Sequence, residues 1–136
     1  MITFILSCVV HAISFVFLYS TISDIDVFQM LLLIFIPLLI SLIFCYWENS
    51  NKTRHVKFNS LLLFILPNIV YLLASSYFIN KNIDDIFALS QKYQSENLTI
   101  STSNSPTFGF AMLLVITVVL HYAVSRVGAN RNHKLQ

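Results

Sequence analysis

The sequence predicts an all-α integral membrane protein, a four-helix antiparallel transmembrane bundle with a short amphipathic helix in the outer loop between helices 3 and 4. Of the 136 residues, 57% are apolar and only 10% are charged, whereas soluble domains contain about 25% charged residues. The mean hydropathy is +0.75. Four apolar runs have the length of about twenty residues that crosses a bilayer core. This composition excludes a soluble enzyme, a nucleic-acid-binding module and a disordered tail, and it predicts a single membrane domain over residues 1–136.

The four predicted spans cover residues 2–22, 27–47, 58–79 and 107–127. They contain no charged residue except Arg126, which lies at the end of the fourth span. Either Asp24 or Asp26 is predicted to cap the second span, and Ser105 followed by Pro106 to begin the fourth. We expect the first span to be retained rather than cleaved as a signal, because no basic residue precedes it.

The basic residues predict the orientation of the spans. Six of the eight Lys and Arg residues lie between spans two and three or near the C-terminus, namely Lys52, Arg54, Lys57, Arg126, Arg131 and Lys134. The turn between spans one and two has no base. By the positive-inside rule, we expect both termini to face the cytoplasm.

The outer loop, residues 80–106, is the largest segment outside the predicted spans. Asn82 followed by Asp84 and Asp85 is typical of a helix start. Four apolar residues follow at nearly helical spacing, namely Ile83, Ile86, Phe87 and Tyr93. We therefore expect an amphipathic helix over residues 83–94 on the outer membrane face. The loop is either a solvated linker or a recognition surface. Residues 128–136 are expected to form a cytoplasmic tail.

Each predicted span carries one stripe of small or polar residues. The stripes are Ser7, His11 and Ser14 with Cys8; Pro37, Ser41 and Cys45; Asn68, Tyr71 and Ser75; and Thr117, His121 and Ser125. Because lipid offers no hydrogen-bond partner, such residues usually face protein. Pro37 and Pro67 are expected to kink their helices or to free carbonyls in the preceding turn, and Asn68 is a candidate to satisfy neighbouring backbone groups across the bundle. We expect these residues to stabilise the bundle through interhelical hydrogen bonds; the alternative is a gating hinge.

His11 and His121 are the ionisable side chains predicted deep in the membrane. We place His11 near mid-depth and His121 one or two helical turns nearer the cytoplasm. Three roles are open. Neutral histidines can bond to Ser or Thr on neighbouring helices, the pair can relay or sense protons, or it can bind a metal or haem. We expect the structural role, because neither histidine has visible co-ligands and a metal site needs three or four.

The sequence contains no recognisable catalytic constellation, so no enzyme activity and no cofactor are expected. Partners are expected to be the lipid bilayer and another membrane or membrane-active protein, not nucleic acid. The residues predicted to contact that partner protein are Ile86, Phe87, Tyr93, Asn68 and Ser75. The alternatives are a homo-oligomeric ion channel or holin-like pore lined by polar stripes, and a haem- or metal-binding subunit.

The layout of four spans, two cytoplasmic ends and an outer loop before the last span is similar to that of small inner-membrane immunity proteins against pore-forming, colicin-type toxins. Small membrane subunits of phage-defence systems have a comparable layout. The resemblance is one of topology and transfers no residue roles. It implies a defence function through binding of a membrane-active protein.

Overall fold

The computed structural model describes residues 2–50, 58–95, 99–100 and 106–133. The long helices are α1 (Ile2–Thr21), α2 (Val27–Ser50), α3 (Phe58–Lys81) and α5 (Pro106–His133). A short helix, α4 (Ile83–Ser90), follows α3 and continues into a 3₁₀ turn, Gln91–Tyr93. All four long helices are long and apolar enough to cross a membrane. The predicted all-helical, multi-pass membrane protein is therefore confirmed.

Consecutive long helices run in opposite directions, but spatial neighbours do not all do so. In the bundle, α2 packs against α1 and α5, α3 packs against the same two helices, and α2 meets α3 across the centre. The α1–α3 and α2–α5 neighbours are therefore parallel pairs, while the α1–α2 and α3–α5 neighbours are antiparallel. We call the end with α4 and the α1–α2 turn the loop end, and the opposite end the terminal end.

Several helices extend beyond the predicted spans. Helix α2 continues through Glu48 and Asn49 to Ser50, and α5 continues to His133. Asn49 is buried, and its amide donates a 2.7 Å hydrogen bond to the carbonyl of Cys45 in its own helix. A polar residue can thus extend an apolar helix when its side chain caps a carbonyl one turn back. Helices α2 and α3 also continue through Pro37 and Pro67, respectively.

Two glycines show how closely α2 and α5 approach each other at the terminal end. A Cβ atom added to Gly128 would lie 3.1 Å from the backbone oxygen of Tyr46 and 3.3 Å from the Cβ of Asn49. Gly109, near the start of the same helix, has no atom within 4 Å of that position. Gly128 therefore permits a backbone contact that no other residue allows without movement.

Helix α4 differs in length, capping and contacts from the amphipathic helix that the sequence predicts over residues 83–94. It ends at Ser90, not residue 94, and the 3₁₀ turn follows. Asn82 stands at the N-cap position but makes no capping bond; its amide donates to the carbonyl of Phe78 at 2.8 Å. Ile86 is only 2% exposed and packs in the apolar core of the loop end with Leu18 and Ile79. The apolar side of α4 thus packs on the bundle rather than only on the membrane surface.

Candidate functional site

Four polar side chains, one from each long helix, meet at the centre of the bundle. They are His11 of α1, Ser41 of α2, Asn68 of α3 and His121 of α5, and each is at most 5% exposed. We call this cluster the central junction. The polar stripes predicted from the sequence supply all four residues, so burial in lipid explains why they face one another.

Asn68 is the hub of the central junction. Its amide nitrogen donates to the hydroxyl of Ser41 and to the carbonyl of Phe64, both at 2.8 Å. Its Oδ1 lies 3.0 Å from Nε2 of His11. One side chain thus connects α3 to α1 and α2. The sequence prediction that Asn68 satisfies backbone across the bundle is wrong, because the carbonyl it binds belongs to its own helix.

His121 completes the network from α5. Its Nε2 lies 3.1 Å from the hydroxyl of Ser41, and its Nδ1 lies 2.8 Å from the carbonyl of Thr117. Ser7 donates a longer, 3.3 Å hydrogen bond to Ser41. Ser41 therefore receives hydrogen bonds from two helices and donates its single hydrogen to a third. Intramembrane hydrogen bonds contribute about 0.6 kcal/mol each on average.

Both histidines reach the side chain of Asn68, with ring nitrogens within 3.4 Å of it. Each ring also lies against the carbonyl four residues earlier in its own helix, that of Ser7 for His11 and that of Thr117 for His121. Because α1 and α5 run in opposite directions, the two rings approach Asn68 from opposite ends of the bundle. The expected separation of one or two turns between the two residues stays a prediction.

The Tyr71 hydroxyl and the Leu33 carbonyl form a second polar contact between α3 and α2. The Tyr71 hydroxyl donates to the carbonyl of Leu33 at 2.7 Å. Leu33 precedes Pro37 by four residues, and proline has no N–H to donate to that carbonyl. Tyr71 is thus the side chain that satisfies backbone across the bundle, a role the sequence analysis assigned to Asn68.

At the loop end, Asp26 anchors two segments at once. Its Oδ1 accepts the backbone N–H groups of Phe28 and Gln29 at 3.0 Å, which confirms Asp26 as the cap of α2. Its Oδ2 lies 3.0 Å from Nζ of Lys92 and accepts the Tyr93 hydroxyl at 2.8 Å. The Asp26 side chain is 2% exposed. The sequence predicted that Asp26 could cap α2, but it contained no signal for the contact of Asp26 with residues 92 and 93.

These contacts favour the charged forms of both ionisable groups. Hydrogen bonding from the Gln29 backbone lowers the pKa of Asp26 to about 2, with smaller contributions from Lys92 and Tyr93 opposing its desolvation. The hydrogen bond to Asp26 raises the pKa of Lys92. The carboxylate is therefore ionised over the physiological range and holds the 3₁₀ turn against the start of α2.

Ser90 makes a second link between α4 and α2. Its hydroxyl oxygen accepts the backbone N–H of Val27 at 2.8 Å, and its hydroxyl hydrogen is donated to the carbonyl of Ile86 at 2.6 Å. Val27 is the first residue of α2 and has no carbonyl within its own helix to bind. Helix α4 therefore supplies a hydrogen-bond acceptor for the first N–H group of α2.

The structure separates the residues predicted to contact a partner. Ile86, Asn68 and Ser75 are buried within this chain, so their side chains do not form part of its surface. Phe87 is half-buried, and Tyr93 keeps 37% exposure while bonding to Asp26.

Two further polar residues from the stripes do not join the central junction. The buried Thr117 donates its hydroxyl to Leu113 in its own helix at 2.7 Å. Ser14 is half-buried on α1.

A groove of about 480 Å³ lies between α1 and α3. Its walls are apolar apart from one edge of the central junction, and they include Cys8, His11, Pro67 and Tyr71. Within the described ranges, no three His, Cys, Asp or Glu side chains are grouped so as to hold a metal ion.

Comparisons with protein-family models, with curated protein sequences and with solved structures find no match to this chain.

Proposed function

We propose that this chain is a non-enzymatic protein of the bacterial inner membrane that binds another membrane-associated protein in a defence role, as immunity to a pore-forming toxin or as a membrane subunit of a phage-defence system. The observation that carries this proposal is the direction of the polar side chains. The polar side chains of the central junction bond to one another within a single chain, and the large side chains exposed on the long helices are mostly apolar.

This direction favours a binding protein over an oligomeric channel. A pore that forms from several copies needs polar residues on the outside of each bundle, where copies share an axis. Ser41, His121 and Ser125 are instead fully buried within the monomer. The outward residues of the long helices include Val16, Leu39 and Val70, each more than half exposed and apolar.

Helix α4, the 3₁₀ turn and the start of α2 form a surface that is already ordered in the unbound protein. We call Phe28, Leu89 and Tyr93 the loop-end patch. The rings of Phe28 and Tyr93 meet edge to face, with centroids 4.9 Å apart, and Leu89 lies one turn before Tyr93. The three side chains are 37% to 46% exposed. Because Asp26 and Ser90 hold this segment on α2, binding to the patch costs little ordering entropy.

The orientation we propose places both termini in the cytoplasm and the loop-end patch at the outer face. The support is the distribution of Lys and Arg. Reporter fusions after residue 136 and within residues 101–105 test this orientation. Periplasmic activity of the C-terminal fusion would overturn it.

Photo-crosslinking in the native membrane tests the binding surface. A photoreactive residue at Leu89 should give one discrete adduct with a second membrane protein, and Phe28→Ala should reduce that adduct. The same probe at Val16, which is 65% exposed on α1, is the matched control and should give no discrete protein adduct.

The channel alternative has its own readout. If purified protein conducts ions in planar bilayers, and Asn68→Ala or Thr117→Val alters the conductance, the binding proposal fails. A Soret band or stoichiometric metal that disappears with His11→Ala would support the haem- or metal-binding alternative instead.

A further inference from the structure

A second cavity, of about 340 Å³, lies between α1 and α2 at the loop end. Its apolar wall consists mainly of Phe17, Leu32 and Leu33, and its polar wall includes Asp24 and Gln29. Small-molecule sites have volumes of about 300 to 1,000 Å³, apolar walls and a small number of polar groups. The α1–α2 cavity has the size and the composition of such a site.

The α1–α2 cavity extends from the level of the lipid headgroups into the apolar part of the bilayer. Helix α1 ends at Thr21 and α2 begins at Val27, so Asp24 lies in the turn between two membrane-crossing helices. Leu33 lies six residues into α2, which is about 9 Å along the helix axis. Phe17 and Leu32 are each more than half exposed, so an acyl chain can contact both. The cavity therefore spans the layer where a phospholipid headgroup meets its chains.

Asp24 supplies a negative charge at the polar end of the cavity. Its side chain is exposed, and over the part of the chain that the structure describes its carboxylate has no hydrogen bond and no ion pair. The base Lys92 is bonded to Asp26 instead, at 3.0 Å. Because an ionised carboxylate can only accept hydrogen bonds, the group that complements Asp24 is a cationic donor.

Gln29 supplies a hydrogen-bond donor in the same cavity wall. Its Oε1 accepts the backbone N–H of Asp26 at 3.1 Å. This bond fixes the orientation of the amide, because a backbone N–H can only donate. Within the described ranges, the Nε2 group of Gln29 bonds to no other group. Its two hydrogens are therefore available to an acceptor such as a phosphate oxygen.

We propose that the α1–α2 cavity binds a phospholipid whose headgroup carries a primary ammonium, namely a phosphatidylethanolamine. Asp24 accepts a hydrogen bond from the ammonium, Gln29 donates one to the phosphate, and the first methylene groups of an acyl chain lie along Phe17 and Leu32. This inference goes beyond the proposed function. It depends neither on the partner protein nor on which side of the membrane the loop end faces.

The two polar groups distinguish this headgroup from the other common ones. Phosphatidylcholine is also zwitterionic, but its quaternary ammonium has no N–H to donate to Asp24. Phosphatidylglycerol has no cation, and the headgroup of phosphatidylserine adds a carboxylate that Asp24 repels. A primary ammonium next to a phosphate satisfies Asp24 and Gln29 together.

Photo-crosslinking from lipid to protein tests the proposal. The full chain is placed in phosphatidylcholine nanodiscs with a trace of phosphatidylethanolamine that carries a diazirine on the first methylene groups of one acyl chain, and adducts are located by peptide mass spectrometry. Adducts on residues 17–33 should be about threefold more abundant than those of a phosphatidylcholine probe with the same chains, as expected for one exposed ion pair. Adducts at Leu66, in the groove between α1 and α3, should not depend on the headgroup.

Two variants separate the two polar contacts. Asp24→Asn removes the charge, so it should lower the phosphatidylethanolamine adduct to the phosphatidylcholine level and leave the phosphatidylcholine adduct unchanged. Gln29→Glu keeps an oxygen for the Asp26 N–H but loses the donor, so it should lower both adducts, because both lipids carry a phosphate. Asp84→Asn is the matched control, since this exposed carboxylate on α4 lies outside the cavity wall, and it should change neither adduct.

Two results would overturn the proposal. One is an equal abundance of the two adducts on residues 17–33 of the unmodified protein. The other is a phosphatidylethanolamine adduct that Asp24→Asn leaves unchanged. The comparison of the two headgroups needs no variant, so it is decisive even if Asp24→Asn fails to insert.

Discussion

The hydroxyl of Tyr71 on α3 donates a 2.7 Å hydrogen bond to the backbone carbonyl of Leu33 on α2. Pro37 stands four residues after Leu33 and cannot supply the N–H that this carbonyl would bind in an ordinary helix. An unsatisfied carbonyl in a membrane interior is unfavourable, because lipid offers no donor. Tyr71 therefore supplies the hydrogen-bond donor that Pro37 lacks, and the same hydrogen bond joins α3 to α2.

Tyr71→Phe should destabilise the folded protein by about 1 to 2 kcal/mol, because a buried carbonyl loses its donor. The free energy of unfolding in detergent micelles measures the effect. In a Pro37→Ala background the cost should shrink, since the new backbone N–H satisfies Leu33. The matched control is Tyr77→Phe, at a residue 66% exposed, and it should have little effect. An equal cost of Tyr71→Phe with and without Pro37 would contradict this interpretation.

Ser41→Ala should weaken the central junction, because it removes the acceptor for Asn68 and the donor to His121 together. We expect a loss of about 1 to 2 kcal/mol in the free energy of unfolding. Ser20→Ala is the control, because the Ser20 hydroxyl is exposed and bonds only to the nearby Phe17 carbonyl. Equal stabilities of the two variants would mean that the junction contributes nothing.

Gly128→Ala should lower the melting temperature relative to Gly109→Ala, because the added methyl group meets the α2 backbone at 3.1 Å and that backbone must shift by a few tenths of an ångström. Gly109→Ala places the same methyl group in open space and should be neutral or slightly stabilising through helix propensity. Thermal unfolding of both variants in the same detergent checks the difference. A stable Gly128→Ala variant would show that α2 and α5 do not approach this closely.

Acid should release the 3₁₀ turn from the start of α2, because it protonates the Asp26 carboxylate. Its folded pKa of about 2 lies below the ordinary value of 3.8, so its stabilising contribution is complete above the ordinary value and is lost as the pH falls through about 2. A nitroxide at Leu89→Cys, in protein with Cys8 and Cys45 replaced by alanine, should become more mobile over that range. With Asp26→Asn the label should be mobile at neutral pH, whereas Asp24→Asn is the exposed control. A label equally immobile in the Asp26→Asn protein would contradict the anchoring role.

The sequence predicts the long helices and the inward polar stripes because both follow from local rules, namely apolar length and helical spacing. It does not predict which stripe residues pair, because pairing depends on the order of helices around the bundle. Antiparallel consecutive helices do not reveal that α1 packs beside α3, and that arrangement brings His11 to Asn68. In the same way, Asp26 was recognisable as a cap, but its contact with Lys92 spans 66 positions of chain and has no local pattern.

Carbonyls that lose their helical N–H partner to a proline are the exception, because the proline itself identifies them in the sequence. Pro37 marks Leu33 as a carbonyl in need of a donor, and a polar residue on a neighbouring span is the expected donor. Two candidates on α3, Asn68 and Tyr71, share one stripe three residues apart. Only the relative height of α2 and α3 decides between them, and the structure selects Tyr71.

The accessibility of Cys45 in native membranes tests the central claim most directly, namely that the polar stripes face the interior of one bundle. Cys45 lies on the α2 stripe and is fully buried. In a Cys8→Ala protein, a small charged, water-soluble thiosulfonate should fail to modify Cys45 until the protein is unfolded, while Ser23→Cys in the exposed α1–α2 turn reacts at once. Modification of Cys45 in the folded protein at a rate close to that of the Ser23→Cys control would mean that the stripe lines water, and it would contradict the account.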